Sequence, residues 1–167
     1  MDPEAEAALW AWISGVDLIA TMRGRRGPLP HPLQLLLTEP RRLGVTLTDG
    51  SWLRIIDLPA ALAARSYSGS GELVLDVSDD LCPANAGRWR VRVPAAQGPG
   101  RAAIDPAGAA TPDLALDISD VAAVYLGAFR FADLARTGRV RECRPGAVAD
   151  ADGLFRVDRA PLNSTMF

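Results

Sequence analysis

The chain contains no lysine, and all 18 of its basic residues are arginine. Lysine Schiff-base chemistry and the lysine-dependent phosphate loop of nucleotide enzymes are therefore excluded. Histidine is nearly absent as well. His31 is the one imidazole, and with Cys82 and Cys143 it falls short of the four ligands a closed zinc site requires. Excess charge of either sign is also missing. The formal net charge is -2, and the arginines lie scattered among the acids, so no basic field exists to release counterions from nucleic acid. No nucleic-acid partner is expected. No apolar run approaches the roughly 18 residues that a membrane span needs. The longest, from Val121 to Phe129, is closed by Asp120 and Arg130. The start, Met1-Asp2-Pro3-Glu4, is acidic where a signal peptide would be basic. These features predict a cytoplasmic protein with no membrane partner and two reduced cysteines.

What is present is the composition of a folded protein. Apolar residues make up 49% of the 167 and charged residues 23%, while 15 glycines and 13 prolines stay below the level of a disordered tract. A chain of this length buries roughly 70% of its unfolded surface. That suffices for one well-cored domain, or one domain and part of another.

Periodicity supplies the elements. Asp2 caps a first helix with Pro3 at its first position and Glu4 and Glu6 in its first turn, and Leu9, Trp12, Ile13 and Val16 form one apolar stripe. Residues 17–23 alternate as a strand, and Pro32 starts a short helix that buries Leu33, Leu36 and Leu37 and stops at Pro40. Residues 45–48 and 52–57 are β-rich runs that Asp49-Gly50 joins as an antiparallel hairpin. Asp57 then caps a helix with Pro59 in its first turn, running to about Tyr67. Strands come next at 73–77 and 89–93. A loop from 94 to 112 carries one short strand at 101–104, and Leu114, Leu116 and Ile118 form another strand. Helices close the pattern at 121–126, 131–136 and 145–155. The whole predicts an α/β (α+β) fold.

Single residues carry little chemistry by themselves. His31 lies between two prolines and reads as a solvent-facing loop residue; Cys82, before Pro83, reads as a small packing residue. Trp10, Trp12, Trp52 and Trp89 read as core. Gln97-Gly98-Pro99-Gly100-Arg101-Ala102 fits a loose pyrophosphate-cradling pattern, but Asp105-Pro106 denies it the helix N-terminus that would face a phosphate.

Longer stretches are more specific. Residues 52–65 (WLRIIDLPAALAAR), 71–77 (GELVLDV) and 82–89 (CPANAGRW) resemble the C-terminal half of the enhanced intracellular survival (Eis) acetyltransferases. So do 113–117 leading to Tyr125-Leu126-Gly127, then 138–142, Pro145-Gly146-Ala147 and the final Phe167. In that family an acetyl-CoA-binding GNAT domain comes first, a second GNAT-like domain is next, and a sterol-carrier-like domain closes the chain. The resemblance implies that residues 1–50 are the C-terminal part of a GNAT-like domain. Residues 51–167 would be the sterol-carrier-like domain, a mixed sheet with helices packed on it.

The same resemblance implies a role for the chain. It would be the tail of an N-acetyltransferase, binding no cofactor itself and working with a GNAT domain that holds acetyl-CoA. Its other partners would be an amine acceptor and further copies of itself in a homo-oligomer. The α-carboxylate of Phe167 would be the general base, and Asp57 would line the acceptor pocket. Met166 stands where some members carry a carboxylate, and Leu162-Asn163 replaces a more aromatic stretch, which weakens the case for aminoglycoside acceptors. The alternative is a stand-alone sterol-carrier-like module that binds an apolar ligand or a protein.

Overall fold

The computed structural model describes residues 2–48, 50–95, 101–159 and 161–163. The chain divides into two units, Met1–Gly50 with Leu162–Phe167, and Ser51–Pro161.

In the first unit, helix α1 (Pro3–Ser14) begins where Asp2 accepts a hydrogen bond from the Glu4 amide at 3.2 Å. Helix α2 (Leu33–Leu36) is a single turn, and Pro40–Arg42 adds a 3-10 turn. Pro40 thus opens that turn instead of ending α2, which has already stopped at Leu36. The apolar stripe of α1 is not covered: Trp12 is 70% exposed, and none of the described residues in 2–50 is buried. Leu36 is likewise half exposed.

The expected strands of this region do not form. Residues 17–23 have no ladder, and Leu18 adopts a positive φ of 66°, a left-handed backbone that cannot continue a strand. Residues 45–48 and 52–57 join no ladder among the described residues, so the hairpin expected across Asp49-Gly50 is absent; Asp49 itself lies outside the described residues. β propensity registers a fit to a half-buried pleated surface, and a lone two-stranded ribbon with no face to bury is marginal in water. Trp52, 89% exposed, shows that no such face lies under it. Trp12 and Trp52 are therefore not core residues, whereas Trp89 packs against the core.

The second unit is built on one mixed sheet. Helix α3 (Leu58–Ala64) precedes β1 (Gly71–Ser78), β2 (Gly87–Val93), β3 (Ala103–Pro106) and β4 (Leu114–Asp117). Then come α4 (Ile118–Tyr125), α5 (Phe131–Arg136), β5 (Val140–Glu142) and α6 (Ala147–Phe155). Strand order is β3-β2-β1-β4-β5, with β1 antiparallel to β2 and parallel to β4. This is the expected mixed α/β architecture.

Alternation along β1 and β2 separates the two faces of the sheet. Leu73, Leu75, Val77 and Val91 point inward and are buried with Leu58, Leu62, Val121 and Phe131 from the helices. Each such side chain contributes about 1.5–3 kcal/mol by leaving water. The opposite face carries Glu72 and Asp76 against Arg88, Arg90 and Arg92, with Arg90 Nε 3.0 Å from Glu72.

Several boundaries differ from expectation. Helix α3 stops at Ala64 because Tyr67 turns inward, its hydroxyl donating to the Leu62 carbonyl at 2.7 Å, while the Ser68 amide donates to the Leu154 carbonyl. The short strand lies at Ala103–Pro106, shifted from 101–104, and Ile118 opens α4 instead of ending β4. Helix α6 starts at Ala147, two residues late, after Gly146 at φ 85°; the Val148 amide there donates to the Glu142 carboxylate at 3.0 Å. Strand β5 is too short for alternation to reveal it.

Candidate functional site

Asp57 is where the sequence places it, at the N-cap of α3. Its backbone is extended, and its Oδ1 accepts from the Ala60 amide at 2.9 Å. The side chain is exposed, and Oδ2 carries no hydrogen bond among the described residues. Phe167 lies outside the described residues, as do Gln97 to Gly100.

The surroundings of Asp57 are more ordered than its exposed position suggests. Asn85, 2% exposed, sits in the 3-10 turn Pro83–Asn85 between β1 and β2. Its Oδ1 accepts from the Leu58 amide at 2.9 Å, and its Nδ2 donates to the Ile56 carbonyl at 3.1 Å. One side-chain amide therefore holds the backbone on both sides of Asp57. The same Nδ2 donates to Asp79 Oδ2 at 2.9 Å, and the Trp89 indole N–H donates to the Asn85 carbonyl at 2.8 Å.

Asp79 is the centre of this network. Arg54 Nη2 lies 2.6 Å from its Oδ1, which also accepts from the Leu81 and Cys82 amides. Burial pushes the Asp79 carboxyl up; hydrogen bonds from Asn85, the Cys82 amide, Arg54 and the Leu81 amide outweigh it and hold the group well below the ordinary carboxylate range. The neighbouring Cys82 and Asp79 side chains push Arg54 up in turn. Asp57 has no such cation beside it among the described residues.

A second buried polar group lies behind α3. Arg65, 9% exposed, donates from Nη2 to the Phe155 carbonyl and from Nε to the Ser66 carbonyl, both at 3.1 Å. Its guanidinium lies 4.1 Å from the centre of the Phe155 ring and 4.8 Å from that of Tyr67. Burial pulls its pKa below the usual arginine value. Its Nη1 has no hydrogen-bond partner among the described residues and lies against the aromatic faces. The ends of α3, α4 and α6 meet here, and the negative ends of helix dipoles favour a cation.

Other sequence candidates carry less. His31 is half-buried instead of solvent-facing: its Nδ1 accepts from the Leu33 amide at 3.2 Å, starting α2, and its ring meets Trp10 edge-on. Cys82 and Cys143 are both free thiols and half-buried. No group of three or more metal-ligating side chains occurs among the described residues, and no helix there is long and apolar enough to cross a membrane.

The pattern at residues 97–102 is not followed by a helix. A pyrophosphate cradle needs backbone amides at a helix N-terminus after a strand, and Ala102 leads instead into strand β3, paired with β2. Asn85, Asp79 and Arg65 were not singled out by sequence reasoning. An asparagine between Pro83 and Gly87 marks a turn, but its burial and its partners appear only in the folded chain.

Comparison with known proteins places the chain. Residues 58–164 match the Sterol carrier protein domain, and residues 1–55 match an Acetyltransferase (GNAT) domain. The chain is 38% identical over 96% of its length to an uncharacterized N-acetyltransferase, SCO2625, of Streptomyces coelicolor, and 36% identical over 94% to N-acetyltransferase Eis of Mycobacterium tuberculosis. It spans 38% and 36% of those two proteins. Among solved structures, Eis1 from Mycobacterium abscessus superposes over 99% of this chain and 40% of its own, with a TM-score of 0.78 and 33% identity. A GCN5-related N-acetyltransferase from Kribbella flavida covers 65% of this chain and 26% of its own, at a TM-score of 0.57 and 28% identity. The chain belongs to the sterol carrier protein domain family and is homologous to N-acetyltransferases that include Eis.

Proposed function

We propose that this chain forms the acceptor side of an Eis-type N-acetyltransferase, working with a GNAT domain that holds acetyl-CoA. On this reading residues 1–50 complete a GNAT-like domain, residues 51–167 are the sterol-carrier-like domain, and the assembled protein is a cytoplasmic homo-oligomer. The observation that carries the proposal is likeness to N-acetyltransferases along nearly the whole chain. The uncovered apolar residues of 2–50 support it, because a segment with no core of its own needs one from elsewhere.

Acetyl-CoA supplies the acetyl group, and the chain's own residues handle the acceptor. Asp57, exposed and with Oδ2 carrying no hydrogen bond among the described residues, attracts an ammonium group. The α-carboxylate of Phe167, ionised at neutral pH because such groups titrate near 3.3–3.7, takes the proton that the acceptor must lose before it can attack. The second reading is a stand-alone sterol-carrier-like module that binds an apolar ligand or a protein; the packing of Leu58, Leu73, Leu75, Val91 and Phe131 in one cluster on the inner face of the sheet favours the first reading.

The test joins the chain to its acetyl-CoA-binding domain and blocks the terminal carboxylate by a C-terminal tag or by amidation. Turnover should fall by about 10²–10⁴ at saturating amine while the melting curve stays unchanged. Full turnover in the tagged protein would refute the terminal base.

A further inference from the structure

We infer that Asn85 is a positioning residue for acceptor binding, setting where the Asp57 carboxylate stands through the backbone on either side of it. The inference rests on the reading of Asp57 as the acceptor contact. Asp57 stands between two anchored neighbours: the Ile56 carbonyl accepts from Asn85 Nδ2, and the Leu58 amide donates to Asn85 Oδ1. Neither bond is local, since Asn85 is 29 and 27 positions away in the chain. Residues 52–56 join no strand ladder among the described residues, and the first helical bond of α3, from the Ala61 amide to the Asp57 carbonyl, comes only after them.

Three further contacts hold Asn85, one on its side chain and two on its backbone. Asp79 Oδ2 accepts from the same Nδ2, which fixes the nitrogen on that side, and the Leu58 amide requires an oxygen on the other. The Trp89 indole and the Cys82 carbonyl hold the backbone of Asn85 itself. Arg54 neutralises Asp79, so the acid that orients Asn85 does not compete with Asp57 for a cationic acceptor. The arrangement leaves Asp57 as an exposed carboxylate on a rigid base. Binding groups held in place before the ligand arrives avoid the ordering cost that loose ones incur.

The experiment is a double-mutant cycle in the chain joined to its acetyl-CoA-binding domain, with putrescine, a diamine, as acceptor probe. Asn85→Ser keeps a small polar group at the buried site, and Asp57→Asn keeps the helix cap but removes the charge. Melting curves identify folded variants, and Asn85→Thr replaces Asn85→Ser if the latter does not fold. The expected result is a KM raised about tenfold by the Asn85 variant with little change in kcat. The double variant should be no worse than Asp57→Asn alone, because Asn85 acts through that carboxylate. An unchanged KM in the Asn85 variant, or KM effects that multiply in the double variant, would overturn the inference while leaving Asp57 in place. An unchanged KM in Asp57→Asn would instead remove the acceptor reading of Asp57, and the inference with it.

Discussion

Replacing Arg65 by leucine tests whether a buried guanidinium with no carboxylate partner among the described residues holds the second unit together. The substitution keeps an apolar body but removes the donor to the Phe155 carbonyl, a buried charge-assisted bond worth about 1.5–3 kcal/mol. It also removes the stacking on Phe155 and Tyr67, worth about 0.5–2 kcal/mol. Ser66 is exposed, so its carbonyl turns to water at little cost. Against these losses stands relief from burying a cation and from ordering a long side chain, about 1–2 kcal/mol. The net is a loss of about 2 kcal/mol. For a unit of roughly 110 residues this lowers the melting temperature by about 10 °C. Arg65→Ala leaves a cavity as well and should cost about 4 kcal/mol. Arg65→Lys, which keeps the charge but not the planar fork, should fall between the parent and leucine. Thermal melts followed by far-UV circular dichroism at neutral pH measure all three. A leucine variant melting within about 2 °C of the parent would refute the argument, because the guanidinium would then be only filling space.

Asp79 should give the fold an acid limit. Its folded pKa is depressed, so the stability it supplies is complete above the ordinary carboxylate value and is lost as pH falls from about 4 towards the folded value. The melting temperatures of parent and Asp79→Asn should therefore converge below about pH 4, and a constant difference down to about pH 2 would contradict the network. Asp57→Ala should cost about 1 kcal/mol in urea unfolding through the lost cap, whereas Asp57→Asn should stay within a few tenths. Gly127, at φ 83°, has the Val157 side chain where a Cβ would go, so Gly127→Ala should lose about 2 kcal/mol. Urea unfolding within about 0.5 kcal/mol of the parent would show that this turn relaxes freely.

Strands β1 and β2 were legible because alternation and flanking turn residues agree there, and α5 was legible because Phe131 and Leu134 share a face before Gly138. The segments 17–23, 45–48 and 52–57 show the converse. Their residues suit strands, but whether a strand forms depends on a partner ladder, which local sequence does not encode. At the candidate site, Asp57 could be read because a cap is a local motif, with Pro59 and an apolar run behind it. Asn85 could not, because its partners lie 27 and 29 positions away and only the folded chain brings them together. Trp12 misled for a related reason: a helical stripe identifies a face that can be buried, not whether anything covers it.

The charged outer face of the sheet also proofreads strand pairing. In the observed register Glu72 faces Arg92, Val74 faces Arg90 and Asp76 faces Arg88. A slip of one residue would turn Arg88, Arg90 and Arg92 into the apolar layer and expel Trp89, Val91 and Val93 from it. A slip of two would keep each side chain on its own face, so burial alone barely forbids it. Here the charges decide. Moved two positions in one direction, Glu72 would face Arg90, Val74 would face Arg88, and Asp76 would run past the end of the arginine series. Ion pairs of little worth to stability thereby acquire a different value, since they separate one alignment of β1 and β2 from a near-equivalent competitor.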